Sequence, residues 1–142
     1  VILWVPGRLP GLNELLSAKS SRQGNWSSYN AIKAKYYGHM KALVAKNGVR
    51  PVGPGHWTFL FIESDRRRDP DNIAAGGVKI LFDALVGADV IAGDGWAHVL
   101  GYVSHWQVGN KPGCLVQWDE RQVWSKPAMA VALEKELENE KR

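Results

Sequence analysis

Apolar positions along this chain alternate between strand and helix periods. Val1 to Val5 is an unbroken β-forming run stopped by Pro6-Gly7, so a strand opens the chain and a turn-rich loop through Gly11 follows it. From Ser28 to Lys46, Tyr29, Ile32, Tyr36, Met40 and Leu43 recur at steps of three and four residues, the spacing of one face of a helix. Ser27 or Ser28 is placed to cap that helix and Asn47-Gly48 to close it. His56 to Glu63 is apolar on both faces, which marks a central strand. Val78 to Val86 reads as a helix that buries Ile80, Leu81, Ala84 and Leu85 and ends at Gly87. Leu100 to Val108 alternates as a strand with Tyr102 and Trp106 on one face, Gly109 to Gly113 reads as a hairpin turn, and Cys114 to Trp118 as the returning strand. Residues 127–141 add a C-terminal helical extension. The order β-α-β-α-β-β predicts a single small α/β (α+β) domain over residues 1–142, with a mixed sheet packed with helices and an extra C-terminal helix.

Composition narrows the class. A chain of 142 residues with 45% hydrophobic content and seven tryptophans is long enough for one core and too aromatic for a disordered segment. No apolar run approaches the roughly 18 residues of a membrane span, so no membrane partner is expected. VILWV lacks the charged flank and cleavage signal of a secretory peptide, and a start at valine rather than methionine points to a trimmed or partial chain. The net charge of +4 permits a nucleic-acid partner without requiring one. A lone Cys114 makes no intrachain disulfide and suits a reducing cytoplasm. His98 and His105 stand without partners at zinc-ligand spacing, and neither a nucleotide-binding glycine fingerprint nor a G-x-S-x-G nucleophile motif is present.

The densest chemistry lies in DRRRDPDN, from Asp65 to Asn72. Asp69 precedes a proline suited to the first helical position, which makes Asp69 a candidate N-cap and puts Asp71 in the first turn. Capping and the helix dipole account for one such acid at about 1 kcal/mol or less. They do not account for Arg66, Arg67 and Arg68, which beside two carboxylates have the character of phosphate contacts next to a hard-cation site.

This run, followed by K-x-x-FDAL from Lys79 to Leu85 and by Gly93-Asp94, resembles the RusA family of Holliday junction resolvases, which are dimeric metal-dependent endonucleases. The resemblance implies an active site of three aspartates and a lysine, falling here on Asp69, Asp71, Asp94 and Lys79, with the aspartates holding Mg²⁺ (or Mn²⁺). It further implies a homodimer acting on branched DNA, such as a four-way junction, in a bacterial or phage-type cytoplasmic setting. The family's lysine usually stands three residues after the asparagine, where this chain has Ala75. Lys79 aligns if about one helical turn of chain is inserted. Because glycine is poor in a helix interior, Ala74 to Gly77 is expected to bulge, with the regular helix starting afterwards and Lys79 returning to the acids. The family's acid pair is reduced here to Gly93-Asp94. Asp89 competes for the third-ligand role, and family spacing favours Asp94.

Further candidates for nucleic-acid contact are Asn13, which resembles a P-x-x-N feature of the family and also reads as a turn asparagine, together with Asn72, Lys19 and Arg22. The last two lie in a polar segment, 17–28, expected to be a mobile loop, in which Trp26 reads equally as a stacking residue or a core plug. Lys33, Lys35, His39, Lys41 and Lys46 form either a solvated helix face or part of a DNA footprint. The leading expectation is a structure-selective endodeoxyribonuclease. The rival is a DNA-binding module of the same fold that has lost cleavage, and a structural protein with capping aspartates ranks third.

Overall fold

The most buried segment of the chain is its central strand, β2 (Gly55–Glu63). Trp57, Phe59 and Phe61 point to one side of it and Leu60 and Ile62 to the other, all at most 3% exposed, so alternate side chains build two separate cores. The computed structural model describes residues 1–20 and 25–141, with the side chains of residues 19, 20 and 25–27 left outside the description. Around β2 the elements run β1 (Ile2–Pro6), α1 (Leu12–Ser20), α2 (Asn25–Asn47), β2, α3 (Pro70–Gly87), β3 (Val99–Val108), β4 (Gly113–Asp119) and α4 (Lys126–Glu140). The result is a small α+β domain with a four-stranded mixed sheet in the order β1-β4-β2-β3.

On one face, α1, α2 and α3 cover the sheet, and the stripe of Tyr29, Tyr36 and Met40 is buried with Trp57, Phe59, Leu81 and Leu85. On the other face, Met129, Ala132 and Leu133 of α4 pack on Trp4, Leu60, Ile62 and Leu115. The C-terminal helix is thus a structural layer of the sheet. Ser125 caps α4 by accepting the backbone N–H of Ala128. At the other helix ends, Gly48 with φ +61° closes α2 and Asp89, with φ +60°, is a left-handed turn residue after α3. Among the described residues no helix is long and apolar enough to cross a membrane.

Three expectations are corrected. Residues 17–20 belong to α1 and residues 25–28 to α2. Helix α1 exists because Leu15 is buried at 4% exposure, while Gly11 O accepts the first-turn N–H of Leu15 at 3.1 Å. Secondly, β3 and β4 form no hairpin. β2 lies between them, parallel to β3 with Trp57 opposite Tyr102 and antiparallel to β4 with Phe59 opposite Val116. The strand apolar on both faces takes the centre, and its two followers take its two edges.

Thirdly, α3 runs regularly from Pro70 through Gly76-Gly77 to Gly87, without a bulge. These glycines serve close approach. A Cβ on Gly76 would stand 2.6 Å from Gly11 Cα, and one on Gly77 would stand 2.5 Å from the Phe61 ring. Packing of α3 onto α1 and β2 outweighs the propensity cost of about 1 kcal/mol per glycine.

Candidate active site along α3 and β3

Helix α3 begins beyond the C-terminal end of β2, because the chain leaves Glu63 through a short turn in which Asp65 Oδ1 accepts the Arg67 backbone N–H at 3.0 Å. Arg68 folds inward from this turn. Its Nε and Nη2 donate to the two Glu63 oxygens at 2.8 Å each, and Nη1 donates to Leu9 O at 2.8 Å and Glu14 Oε1 at 3.1 Å. Burial works to lower the Arg68 pKa, yet the hydrogen bonds and charges of Glu63 and Glu14 outweigh it and raise the value. Four of the five N–H donors of Arg68 are therefore committed within the fold, where its side chain is 11% exposed. Arg66 and Arg67 are the exposed guanidinium groups of the triplet, and Arg67 makes a loose ion pair with Asp65 at 3.5 Å.

Asp69 occupies the N-cap position with extended backbone (φ −70°, ψ 143°), but its side chain makes no capping bond. Instead Asp69 opens on a cavity of about 550 Å³ shared with Glu63, Asp65, Arg66, Trp106 and Lys126. Asn72 faces α1, where its Oδ1 accepts the Asn13 backbone N–H at 2.9 Å and satisfies one of the unpaired donors of that helix start. The two asparagines thus join α1 to α3.

A second cavity of about 490 Å³ lies further along the groove between α3 and β3, lined by Asp71, Ala75, Lys79, Phe82, Asp94 and Tyr102 among others. Positions 71, 75, 79 and 82 fall on one helical face at steps of three and four. Asp94 joins them from the loop between α3 and β3. Lys79 Nζ donates to Asp83 Oδ1 at 3.2 Å, and Lys33 of α2 reaches the other Asp83 oxygen at 3.9 Å. Burial acts to lower the Lys79 pKa, but the hydrogen bond and charge of Asp83, with Tyr29 and Asp94, raise it overall. Lys79 is an ammonium at neutral pH, with its side chain 53% exposed.

Asp71, Lys79 and Asp94 are brought to one cavity. Asp69 stands at the neighbouring one. Lys79 lies eight positions after Asp71, about 12 Å along the helix axis, so the regular helix leaves the lysine toward the far end of the cavity. Two carboxylates at a solvent-open cavity are donors of the kind that Mg²⁺ takes together with water and phosphate oxygens. A three-carboxylate centre is not assembled: among the described residues, no three His, Cys, Asp or Glu side chains group to hold a metal ion. Lys19 belongs to α1, with its side chain outside the description, and Arg22 lies outside the described residues altogether.

Three contributors lie outside the acid motif. Lys126 lines the Asp69 cavity from the start of a helix assigned only to the extension. Asp83 fixes Lys79 through an i,i+4 pair, a spacing visible in the sequence. Trp96 is 97% exposed beside Asp94, and its one signal was a tryptophan with no apolar periodic partner inside a glycine-rich acidic loop. Comparison with known proteins yields no matching protein-family model and no matching curated sequence.

Proposed function

We propose that this protein is a metal-dependent, structure-selective endodeoxyribonuclease that resolves Holliday junctions or related branched DNA in recombination and repair, in the manner of the RusA family its acid motif resembles. The observation that carries this reading is the shared cavity of Asp71, Lys79 and Asp94. Asp71 and Asp94 are the residues to hold Mg²⁺ or Mn²⁺, with Asp69 at the adjoining cavity. When bound, such an ion supplies Lewis-acid stabilisation of charge on the scissile phosphate and a more acidic water. Lys79 presents a cation to the phosphate, and Arg66 and Arg67 position the DNA backbone. A twofold-symmetric junction with two strands to cut calls for two copies of the site, hence a homodimer, and the lone buried Cys114 fits a reducing cytoplasm.

A second reading, a DNA-binding module of the same fold without cleavage, draws support from the separation of Asp69 from the other two acids. One experiment divides the two. A labelled four-way junction and a linear duplex of the same sequence are incubated with the protein in Mg²⁺, Mn²⁺ or EDTA. The nuclease reading expects metal-dependent cuts in the junction alone, reduced about a hundredfold or more in Asp71→Asn and Asp94→Asn, with junction binding retained or tighter as a charge facing phosphate is removed. Binding without cleavage in either metal selects the second reading, and absence of binding removes both.

A further inference from the structure

The loop from α3 to β3 displays the most exposed large apolar side chain among the described residues, Trp96 at 97%. The other tryptophans with described side chains are buried or half-buried, Trp57 and Trp4 at 0% and 5%. Full exposure of an indole forgoes the burial that normally stabilises it, so its position calls for an explanation.

The exposure is built in. Val90 and Ile91 anchor the start of the loop in the core at 1% and 2% exposure. At its end, Gly95 O accepts the backbone N–H groups of both His98 and Val99 at 3.0 Å, and His98 O accepts the Gly55 N–H at 3.2 Å. Trp96 therefore projects from a turn fixed on both sides. Two residues before it is Asp94, whose cavity also holds Asp71, Lys79 and the ring of Tyr102, and Tyr102 is itself 56% exposed. A cation for a phosphate backbone, Lys79, thus lines a cavity whose Asp94 is two residues from an exposed aromatic plane. Leu100 on the strand that follows is also exposed, at 55%; what sets Trp96 apart is its place two residues from Asp94 of the cavity.

We infer that Trp96 is a base-stacking residue that takes the π-face of an unpaired or unstacked base, and so gives the site its preference for branch points over continuous duplex. The inference rests on the DNA-processing reading above. Duplex bases are stacked on one another and offer no free face. A branch point or single strand does, and stacking on aromatic side chains is tolerant of sequence.

The test measures equilibrium binding in EDTA of wild type, Trp96→Ala and Trp96→Phe to three DNAs of matched sequence: a four-way junction, a single strand and a linear duplex. At 97% exposure neither substitution touches the core, and unchanged melting temperatures confirm that the variants are folded. Trp96→Ala should weaken junction and single-strand binding by about tenfold or more, leave duplex binding within about twofold, and be largely rescued in Trp96→Phe. Unchanged junction and single-strand affinity in Trp96→Ala overturns the stacking role while leaving the nuclease reading in place. Equal losses on all three DNAs, or a change in oligomeric state without a change in DNA affinity, overturns it too, the latter making Trp96 a protein contact. Selective loss on the single strand in a protein that never cuts junctions keeps the stacking role and removes the nuclease. A wild type that binds none of the three removes both.

Discussion

At the Pro70 end of α3, Arg68 is enclosed by Glu63, Leu9 and Glu14, whereas further along the same helix Lys79 meets Asp83 with half of its side chain still in solvent. Both cations have carboxylate partners and both have raised pKa values. Lys79 keeps most of its donors where a phosphate can reach them, and Arg68 keeps one of five. The Glu63 side chain is 13% exposed, so its pair with Arg68 is a bond between β2 and the turn that starts α3, and it fixes where the helix begins. Residue type does not separate a scaffold charge from a working one. The number of donors already satisfied, and the exposure of the partner, do.

Arg68→Ala leaves the mostly buried Glu63 carboxylate without its guanidinium, and should cost about 2–4 kcal/mol in urea unfolding. Arg66→Ala should stay within about 0.5 kcal/mol and act instead on DNA, weakening all sequences alike and lowering the salt slope by about one. Equal stability losses in the two variants would erase the distinction. Gly76→Ala tests whether α3 is seated by contact with α1. The added methyl meets the Gly11-Leu12 backbone, so the melting temperature should fall by the equivalent of about 1–3 kcal/mol, although alanine is the better helix former. A gain in stability would mean that the two elements are not in close contact.

The smallest expected effect is at Lys79. Its folded pKa is raised by Asp83, so the pair's contribution to stability is fully present below the unfolded value of about 10.4 and fades only as pH climbs through the folded value. Asp83→Asn should remove a few tenths of a kcal/mol at neutral pH and flatten the stability profile above about pH 10. An unchanged alkaline profile would show that Asp83 does not hold the lysine.

The parts legible in the sequence were those governed by local periodicity. The β2 run and the Tyr29-Tyr36-Met40 stripe needed only alternation and steps of three and four, whereas Asp71, Lys79 and Asp94 were picked out by a motif resemblance that expected Lys79 to reach the acids through a bulge α3 does not have. Decisions made by distant neighbours were not legible. Gly76-Gly77 looked like a helix break because propensity is local, while the backbone of Gly11 that requires them lies far away in sequence. Helix α1 was hidden among prolines, glycines and serines, its support coming from burial of Leu15. Divergence of Asp69 from Asp71 was also invisible, since successive residues of a first turn point in different directions and only the surrounding walls decide which cavity each one meets.

The interposition of β2 between β3 and β4 bears on how the chain reaches this state. The shortest connection in the sheet, residues 109–112, joins two strands that share no ladder, so the turn most easily closed gains no strand pairing. β3 must find Gly55 to Glu63, with all of α3 between them. The sheet therefore assembles through contacts distant in sequence. Such pairing folds more slowly than a sheet built from hairpins, because loop closure is paid before the ladder forms.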